Sequence, residues 1–409
     1  MGINAFSAAY SLYDADGIIR ESEQNASELF GCRTYYSTEG SSQCIRAMMY
    51  LISLVAAENG ERARILAARN CHKTFVSACA LIDLDVSWID ACGGYLSARI
   101  SADDVEKAIL AAEKKPHAVY LTSPDYLGAI ADVHAISRVC HKHGILLCVD
   151  NAHGAYLRFL QKSEHPIDLG ADICCDSAHK TLPCLTGGAY LHISDCAHGS
   201  FAENAKDALA LFGSTSPSYL ILQSLDKTNA YIADGYSERL SALTEKLSSI
   251  KEMLCGFGYS FCGDEPTKFT FDCKKYGYYG FEIAEILQEK GIVCEFFDRD
   301  HLVLMFTPEI SEGNLFKLAV VLKSIKKRES ISQAAPKVSI SERRMSIREA
   351  IMSPSELVPL CECEGRILAR LCVSCPPAVP IGVCGEVITR EMIEAFEYYG
   401  IDKVSVIKK

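Results

Sequence analysis

An aspartate and a lysine, each placed after an apolar segment of strand length, are the residues that most directly suggest chemistry. Asp150 ends the segment LLCVD and is followed by Asn151, Ala152 and His153, and further along Lys180 follows the segment ADICC within D-S-A-H-K. A carboxylate at the end of a parallel strand lies at the edge where ligands bind. A lysine that is partly desolvated there has a lowered pKa and is a candidate for Schiff-base formation.

Two upstream motifs could bind other parts of a ligand. Ser41 and Ser42 lie in T-E-G-S-S-Q immediately before a predicted helix, where free backbone N–H groups and hydroxyls form a site for phosphate. His72 lies in R-N-C-H-K just beyond the apolar segment RILAA, and a flat imidazole at that edge can stack on an aromatic ring.

Each of these residues also has an ordinary structural explanation. Asp150 alone is a turn former, Lys180 a surface lysine, the two serines a helix cap and His72 a loop histidine. Together, in this order, they are the groups needed to hold pyridoxal phosphate (PLP). The aspartate keeps the pyridine nitrogen protonated, and the lysine forms the imine.

The elements that must position these residues alternate between strands and helices. Strand-length apolar runs occur in ARILAARN, SWIDA, HAVYLTSP, GILLCVDNAH, ADICCDSAH and GGAYLHI, and helix-period segments such as SQCIRAMMYLISLVAAENG, SADDVEKAILAAEKK and DVHAISRVCHKHG lie between them. This pattern predicts an α/β domain with a mostly parallel sheet.

Later segments predict three further regions. About residues 258–326 read as a smaller α+β unit, KKRESISQAAPKVSISERR as an exposed connection, and the remainder as a separate unit with a helix at SIREAIM. We therefore expect a large domain over 1–250, a small α+β domain over 251–327, a linker over 328–340 and a C-terminal domain over 341–409.

Composition excludes several classes of protein. The chain has 409 residues, 49% of them hydrophobic, and a net charge of 41 − 52 = −11 without a basic run, so nucleic acid is not an expected partner. No stretch reaches the ~18 apolar residues that span a bilayer, and the start lacks the features of a signal peptide. We expect a cytoplasmic protein without membrane contact.

Twenty cysteines are spread through apolar runs, which favours a reducing compartment over a disulfide framework. Four of them, Cys361, Cys363, Cys372 and Cys375, form C-E-C, eight residues, then C-V-S-C, a spacing that zinc sites also use. The alternative is a set of buried or oxidisable thiols. We favour that alternative and predict no metal.

The motifs resemble a known family. V-D-N-A-H-G-A-Y-L, D-S-A-H-K-T-L-P, N-C-H-K and L-F-G-S-T-S-P-S-Y look like the ornithine/lysine/arginine decarboxylases of the aspartate-aminotransferase fold, and MSIREAIMSPSELVPLCECEGRILARLCVSCPPAVPIGVCGEVIT resembles that family's C-terminal domain. The resemblance covers roughly residues 17–405 and is weakest over 250–335. It implies a type I PLP-dependent transferase fold with a C-terminal α+β decarboxylase domain. It also implies decarboxylation of arginine, lysine or ornithine to a polyamine-type amine and CO₂.

The resemblance implies roles for the matched residues. Lys180 forms the imine with PLP, His179 is its neighbour in the active site, Asp150 pairs with the pyridine nitrogen, and Ala152 packs on the ring face opposite His72. The remaining cofactor-binding residues implied by the resemblance are Ser41, Ser42 and Ser177 for the phosphate, together with His153.

The family's shared active site implies a homodimer or a multiple of dimers. Thr215, in G-S-T-S-P, would reach the phosphate of the neighbouring subunit. Glu386 and the Pro376-Pro377 turn would lie in the domain that helps to close the substrate entrance.

Three features depart from the family pattern. Its members usually begin with an additional segment, so the resemblance is to a short form. Asn151 stands where many relatives have Glu or Ser, and the phosphate motif reads E-G-S-S-Q. Two alternatives therefore stay open beside the decarboxylase: another fold-type-I PLP enzyme such as an aminotransferase, and a catalytically impaired paralogue with a regulatory or binding role.

Overall fold

The computed structural model describes residues 11–14, 16–89, 92–93, 96–371 and 379–409. Its first and largest part contains a seven-stranded sheet with helices on both faces. In chain order, the elements of this part are α1 (Gly17–Phe30), β1 (Arg33–Ser37), α2 (Ser41–Ala57), β2 (Arg64–Ala68), α3 (Lys73–Ile82), β3 (Asp85–Ile89), β4 (Cys92–Gly93), β5 (Ala98–Arg99), α4 (Ala102–Ala111), β6 (Ala118–Thr122), α5 (Val133–Lys142), β7 (Leu146–Asp150), β8 (Ile173–Asp176), α6 (Ala178–Thr181), β9 (Ala189–Ile193), α7 (Gly199–Leu211), α8 (Tyr219–Ala233) and α9 (Tyr236–Gly256).

The large sheet has the strand order β1-β9-β8-β7-β6-β2-β3, and β4 and β5 form a separate hairpin. Neighbours β8, β7, β6, β2 and β3 run parallel, whereas β9 is antiparallel to both β8 and β1. This confirms the predicted mostly parallel α/β sheet. In the sheet register Thr122 pairs with Asp150, so β6 and β7 end at the same edge.

Helices on both faces explain why the central strands read as continuous apolar runs. One face packs against α2, α3 and α7, and the other packs against α4 and α5. Cys148, Cys174 and Cys175 are fully buried between these layers. The cysteines whose side chains the structure describes are free thiols, which fits their use as small apolar side chains.

The second part is a smaller α+β unit, as predicted. Its antiparallel sheet has the order β10-β11-β13-β12, and α10 and α11 cover its apolar face. The elements are β10 (Phe261–Cys262), β11 (Lys268–Asp272), α10 (Gly280–Glu289), β12 (Phe296–Phe297), β13 (His301–Met305) and α11 (Glu312–Ser324). The predicted strand VCEFF is shorter than expected, because only its last two residues pair with β13.

Residues 326–342 form neither helix nor strand, as expected of a connection. The segment nevertheless bonds to the small unit, since the backbone N–H of Arg328 donates to the carbonyl of Tyr276 at 3.1 Å and that of Ile331 to Lys274 at 3.0 Å. The expected domain limits at 250, 327 and 340 remain a proposal.

The last part contains α12 (Ile347–Met352), β14 (Ser355–Pro359), α13 (Arg390–Tyr398) and β15 (Lys403–Ile407), with β14 and β15 antiparallel. The predicted helix at SIREAIM is α12, which packs on α3 of the large part. Arg348 of α12 donates to the carbonyl of Ala80 at 2.8 Å. In the described residues, no helix is long and apolar enough to cross a membrane.

Candidate active site

The strand ends predicted to share an edge surround one cavity of about 410 Å³. Asp150 ends β7, Thr122 ends β6, Ser177 follows β8 and Asn70 follows β2. The residues lining the cavity are Glu39, Gly40, Ser41, Ser42, Asn70, His72, Thr122, Tyr126, Asp150, Ala152, His153, Ser177, His179, Lys180, Thr186, Gly187, Glu295 and Val379. Apart from Thr215, every predicted site residue lies here.

Lys180 belongs to the one-turn helix α6, which places its amine in the cavity. Its Nζ lies 3.2 Å from Nε2 of His153. The residue is exposed to the cavity, and desolvation by the many protein atoms around the amine lowers the pKa of Lys180, while the Asp150 carboxylate opposes the shift. A lowered pKa increases the fraction of neutral, nucleophilic amine.

His153 is neutral in this arrangement. Burial lowers its pKa well below the usual value, and the positive charge of Lys180 lowers it further. A neutral imidazole nitrogen can accept the hydrogen bond that Lys180 donates.

Asp150 is buried at the same edge and held by three donors. The Tyr120 hydroxyl and the Ala152 backbone N–H donate to it, each at 3.2 Å, and the Cys175 thiol lies at 3.7 Å. Burial raises the pKa of Asp150, whereas the charge of Lys180 and the Tyr120 hydrogen bond lower it. A buried carboxylate of this kind is stabilised by a ligand that supplies a positive N–H group.

The two predicted serines begin the 17-residue helix α2, directly after Gly40 at φ +72°. Ser41 Oγ accepts a hydrogen bond from Ser177 Oγ at 2.8 Å, and Ser42 Oγ lies 3.1 Å from Thr74 Oγ1. Hydroxyls from α2, from α3 and from the residue after β8 therefore gather at one helix N-terminus, the arrangement that binds phosphate.

Gly187 lies beside Gly40, next to the N-terminus of α2. Its φ of +102° favours glycine, and a Cβ there would lie 2.7 Å from the Thr38 carbonyl oxygen. Its own carbonyl accepts the Gly40 backbone N–H at 2.8 Å, which ties the two loops together.

His72 caps the N-terminus of α3, and its Nδ1 accepts the backbone N–H of Thr74 at 3.2 Å. Burial lowers its pKa to about 4, with further lowering by Lys180. The ring is therefore neutral near pH 7. Ala152 lines the same cavity, and the predicted stacking of a ligand between His72 and Ala152 stays a prediction.

His179 has a defined orientation in the cavity wall. Its Nδ1 lies 3.0 Å from the carbonyl oxygen of Gly188, so this nitrogen must carry the proton and donate it. Burial lowers the pKa of His179. The neutral ring then leaves Nε2 as an acceptor.

Thr215 is exposed and does not line the cavity. Its neighbour Ser214 donates a backbone N–H to the carboxylate of Glu39, and this hydrogen bond attaches the segment to the loop that precedes α2. The predicted contact with a neighbouring subunit's phosphate stays a prediction.

In the C-terminal part, the buried Glu386 pairs with Arg69 at 2.7 Å, next to the loop that carries His72. Pro376 and Pro377 lie outside the described residues, while Val379 beyond them lines the cavity. Of the cysteine cluster, Cys361 is exposed and the thiol of the buried Cys363 donates to the Leu360 carbonyl. Cys372 and Cys375 lie outside the described residues, and the absence of a metal at this cluster stays a prediction.

Sequence reasoning assigned no role to several lining residues. Asn70 is buried and neither polar atom of its amide has a partner among the described residues, and the same is true of the Thr122 hydroxyl. Both residues lie at or just after the end of a predicted strand, and that position was the sequence signal that could have identified them as site residues. Glu39 lies in T-E-G-S-S-Q, where only the serines were given a role. Tyr126, Glu295 and Val379 lie where no motif marks them.

A second buried carboxylate, Asp176, lies at the end of β8 and was also missed. His165 and His192 each lie with Nε2 at 3.1 Å from its Oδ2, and Asn151 donates to its Oδ1 at 2.7 Å. Burial alone would raise the pKa of Asp176, but the two histidines and their hydrogen bonds hold it well below the usual range. This cluster fixes the backbone immediately before Ser177.

Comparison with known proteins agrees with this architecture. The family model described as "Orn/Lys/Arg decarboxylase, major domain" matches residues 2–253, and "Orn/Lys/Arg decarboxylase, C-terminal domain" matches residues 326–402. An arginine decarboxylase of Bacillus subtilis is 27% identical over 93% of this chain and 81% of that protein. One of Halalkalibacterium halodurans is 28% identical over 92% and 80%.

Solved structures show the same fold. Lysine decarboxylase A from Pseudomonas aeruginosa superposes with a TM-score of 0.81 at 18% identity, over 99% of this chain and 73% of that one. The lysine decarboxylase of Francisella novicida gives 0.78 at 17% identity, over 100% and 74%. The predicted fold-type-I architecture is confirmed.

Proposed function

The chain belongs to the Orn/Lys/Arg decarboxylase family, and we propose that it removes the α-carboxylate of a basic amino acid as CO₂, using PLP bound in the cavity. The observation that carries the proposal is that Lys180, Asp150 and the start of α2 surround the same cavity. They supply an amine for the aldehyde, a carboxylate for the pyridine nitrogen and a helix N-terminus for the phosphate.

The polar groups of the cavity support this cofactor. Asp150 is buried without a cationic hydrogen-bond partner among the described residues, and a protonated ring nitrogen would supply one. The unpartnered amide of Asn70 and hydroxyl of Thr122 offer further contacts for ring substituents or substrate. Gly40 brings no side chain to the α2 N-terminus, where a Cβ would lie 4.0 Å from the Ser42 backbone nitrogen.

When bound, PLP supplies an electron-accepting ring that takes up the electron pair released as the bond between Cα and the carboxylate breaks. Asp150 would hold the proton on the ring nitrogen, and neutral His72 would offer an uncharged face for stacking. Lys180, with its lowered pKa, would provide the amine that holds the cofactor aldehyde. CO₂ leaves, and a proton replaces it on Cα.

The replacing proton must come from a group beside Cα. Lys180 and His179 both line the cavity, and we propose that one of them takes up a proton from the ammonium group of the incoming substrate and then donates it to Cα. The amine product then has one carboxylate fewer and one proton more than the substrate, which balances the reaction.

We further propose a homodimer in which Thr215 contacts the neighbouring subunit's phosphate site, as the family resemblance implies. Thr215 is exposed beside the loop that precedes α2, and this position is consistent with such a contact. The proposal includes a cytoplasmic enzyme that makes a polyamine-type amine.

The test is release of radiolabelled CO₂ from carboxyl-labelled arginine, lysine and ornithine by the protein with added PLP. We expect CO₂ and an equal amount of the corresponding amine from at least one of them. Formation of the keto acid with retention of the label would indicate an aminotransferase. No reaction, with PLP nevertheless bound, would indicate an impaired relative.

A further inference from the structure

The loop between β2 and α3 brings two side chains to the cavity, Asn70 and His72. His72 is oriented by its own cap on α3, where its ring accepts the backbone N–H of Thr74. Asn70 is buried, and neither polar atom of its amide has a partner among the described residues. The position of that amide in the cavity thus depends on how the backbone of the loop is held.

Arg69, the first residue of the loop, is held by the C-terminal part of the chain. Its guanidinium donates to Glu386 Oε2 at 2.7 Å and to the Ile381 carbonyl at 3.4 Å. The guanidinium carbon also lies 5.0 Å from the centre of the Trp88 ring on β3, in cation–π geometry. Both acceptors belong to the C-terminal part, so the loop is joined to that part immediately before Asn70.

The pair of Arg69 and Glu386 is buried, since their side chains are 15% and 2% exposed. The backbone N–H of Val383 donates to the same oxygen, Glu386 Oε2, at 2.8 Å. Burial raises the pKa of Glu386, whereas the charge of Arg69 lowers it. Separation of the pair would leave a charge buried without its partner, so the pair is expected to stay closed in the folded protein.

The backbone around Glu386 is fixed in turn. Its N–H donates to the Val383 carbonyl at 3.1 Å, and its carbonyl accepts the N–H of Leu368 at 2.9 Å. Residues 379–386 are all buried, and Val383 packs in the same core as α2 and α3. At the other end of this segment Val379 lines the cavity. The segment therefore reaches from the ion pair to the cavity.

Other contacts already attach the C-terminal part to the large part. Arg348 donates to the Ala80 carbonyl at 2.8 Å, and Ile347 packs in the core that includes α3. None of these residues lines the cavity or adjoins one that does. The Arg69–Glu386 pair differs from them, because it acts on the residue directly before Asn70.

We propose that Glu386 is a positioning residue of the active site, which through Arg69 holds the loop that places Asn70 and His72 in the cavity. Glu386 does not itself line the cavity. The inference rests on the proposed function, because it assumes that the cavity holds PLP beside His72. It assigns to the C-terminal part a role in the geometry of the cofactor site.

The test removes both charges in the double variant Arg69→Met/Glu386→Met. Replacement of a buried ion pair by apolar residues of similar volume is often neutral for stability, so the double variant is expected to fold. The matched control is Arg366→Met/Glu356→Met. This ion pair of 2.6 Å lies within the C-terminal part, its arginine also donates to a backbone carbonyl, that of Ile407, and neither residue lines the cavity.

Four properties are measured for each protein. They are the urea midpoint, the dissociation constant of PLP from the cofactor-free protein, the visible circular dichroism of bound PLP, and kcat with KM for the preferred basic amino acid. PLP is achiral, so its circular dichroism reports how the protein holds the ring. Hydrogen exchange of the peptide covering residues 70–76 in the cofactor-free protein adds a readout that does not depend on PLP.

We expect the urea midpoint of Arg69→Met/Glu386→Met to stay close to that of the wild type, while residues 70–76 exchange faster. The dissociation constant of PLP should rise roughly 10-fold, the scale of one lost hydrogen bond, and the circular dichroism of bound PLP should weaken. Turnover should fall roughly 10- to 100-fold in kcat, because a displacement of about 1 Å in an active site has an effect of that size. Arg366→Met/Glu356→Met should match the wild type in PLP affinity, circular dichroism and kcat.

Wild-type PLP affinity, circular dichroism and kcat in Arg69→Met/Glu386→Met would overturn the inference and leave the proposed function intact. Equal losses in the control would also overturn it, since they would indicate a general loosening of the C-terminal part. If the wild type binds no PLP, the proposed function fails, and the inference fails with it.

Arg69→Lys decides the matter if the double variant proves unstable. Lysine keeps the charge beside Glu386, but it lacks the planar fork that bonds to Glu386 and Ile381 while lying against Trp88. We expect the same losses of PLP affinity, circular dichroism and kcat at smaller size. Wild-type values of all three in Arg69→Lys would overturn the inference.

Discussion

Asp150 and Asp176 end neighbouring parallel strands and are both buried, yet their surroundings differ. Asp176 faces two histidines and an asparagine that satisfy it completely within the fold. Asp150 has weaker donors and opens onto the cavity beside Lys180. The difference teaches that a strand-end carboxylate is structural when the protein supplies its partners and available for a ligand when it does not.

Removal of the amine in the cavity should have the largest effect. We expect Lys180→Ala to reduce CO₂ release by roughly 1000-fold or more, the scale on which loss of a covalent catalyst acts. Stability to urea should stay within about 1 kcal/mol of the wild type, because no described contact except that with His153 is lost. Lys227→Ala, at an exposed position on α8, is the control. Substantial turnover by Lys180→Ala would disprove its role.

Loss of the charge on Asp150 should act on activity and not on the fold. Asp150→Asn keeps one oxygen to accept the Ala152 N–H, and its NH₂ group can donate to the Tyr120 hydroxyl once that hydroxyl rotates. The amide cannot hold a proton on the ring nitrogen, so we expect a roughly 100- to 1000-fold lower kcat. The free energy of unfolding of the cofactor-free protein should be equal to that of the wild type or slightly higher, since a desolvated charge is removed. Near-normal kcat would contradict the assignment.

The same substitution at Asp176 should show the reverse pattern. Asp176→Asn removes the charge that two buried histidines and Asn151 surround, and we expect a loss of about 3 kcal/mol in the free energy of unfolding. Activity measured well below the unfolding transition should fall less than in Asp150→Asn. If Asp176→Asn is as stable as the wild type, the structural role proposed for this cluster is wrong.

The two aspartates should also differ in the pH dependence of stability. The raised pKa of Asp150 means that its contribution is present below the ordinary value of about 4 and is lost as pH rises above it. The lowered pKa of Asp176 has the opposite sign, so its contribution is present above about pH 4 and is lost as pH falls below it.

Urea titrations of the cofactor-free proteins from about pH 3 to about pH 6 would measure this difference. Relative to the wild type, Asp150→Asn should gain stability as pH rises and Asp176→Asn should lose it. Changes of the same sign in both variants would remove the contrast between the two sites.

Much of the large sheet was predictable because strands buried on both faces are continuously apolar. ARILAARN, HAVYLTSP and GILLCVDNAH all contain strands of that sheet. Strand β1 was not predicted, since RTYYS at the sheet edge mixes polar with aromatic residues. β14 and β15, which form their own two-stranded sheet, were missed for a related reason, as each buries only part of its length.

The site was predictable where one local motif places a residue, as for Asp150, Lys180, Ser41 and His72. Asp176 could not be told from Asp150, because both end an apolar strand. Its partners His165 and His192 come from a loop and another strand. Glu295 lies in the cavity only because the small unit packs there, and no local pattern encodes that packing.

The central claim is that the cavity binds PLP on Lys180, and its most direct test is peptide mapping by mass spectrometry after borohydride reduction of the PLP-loaded protein. We predict one pyridoxyl group per chain, on the peptide containing Lys180, and none on that peptide in Lys180→Ala. A label on another lysine, or no label in protein that remains folded, would contradict the account.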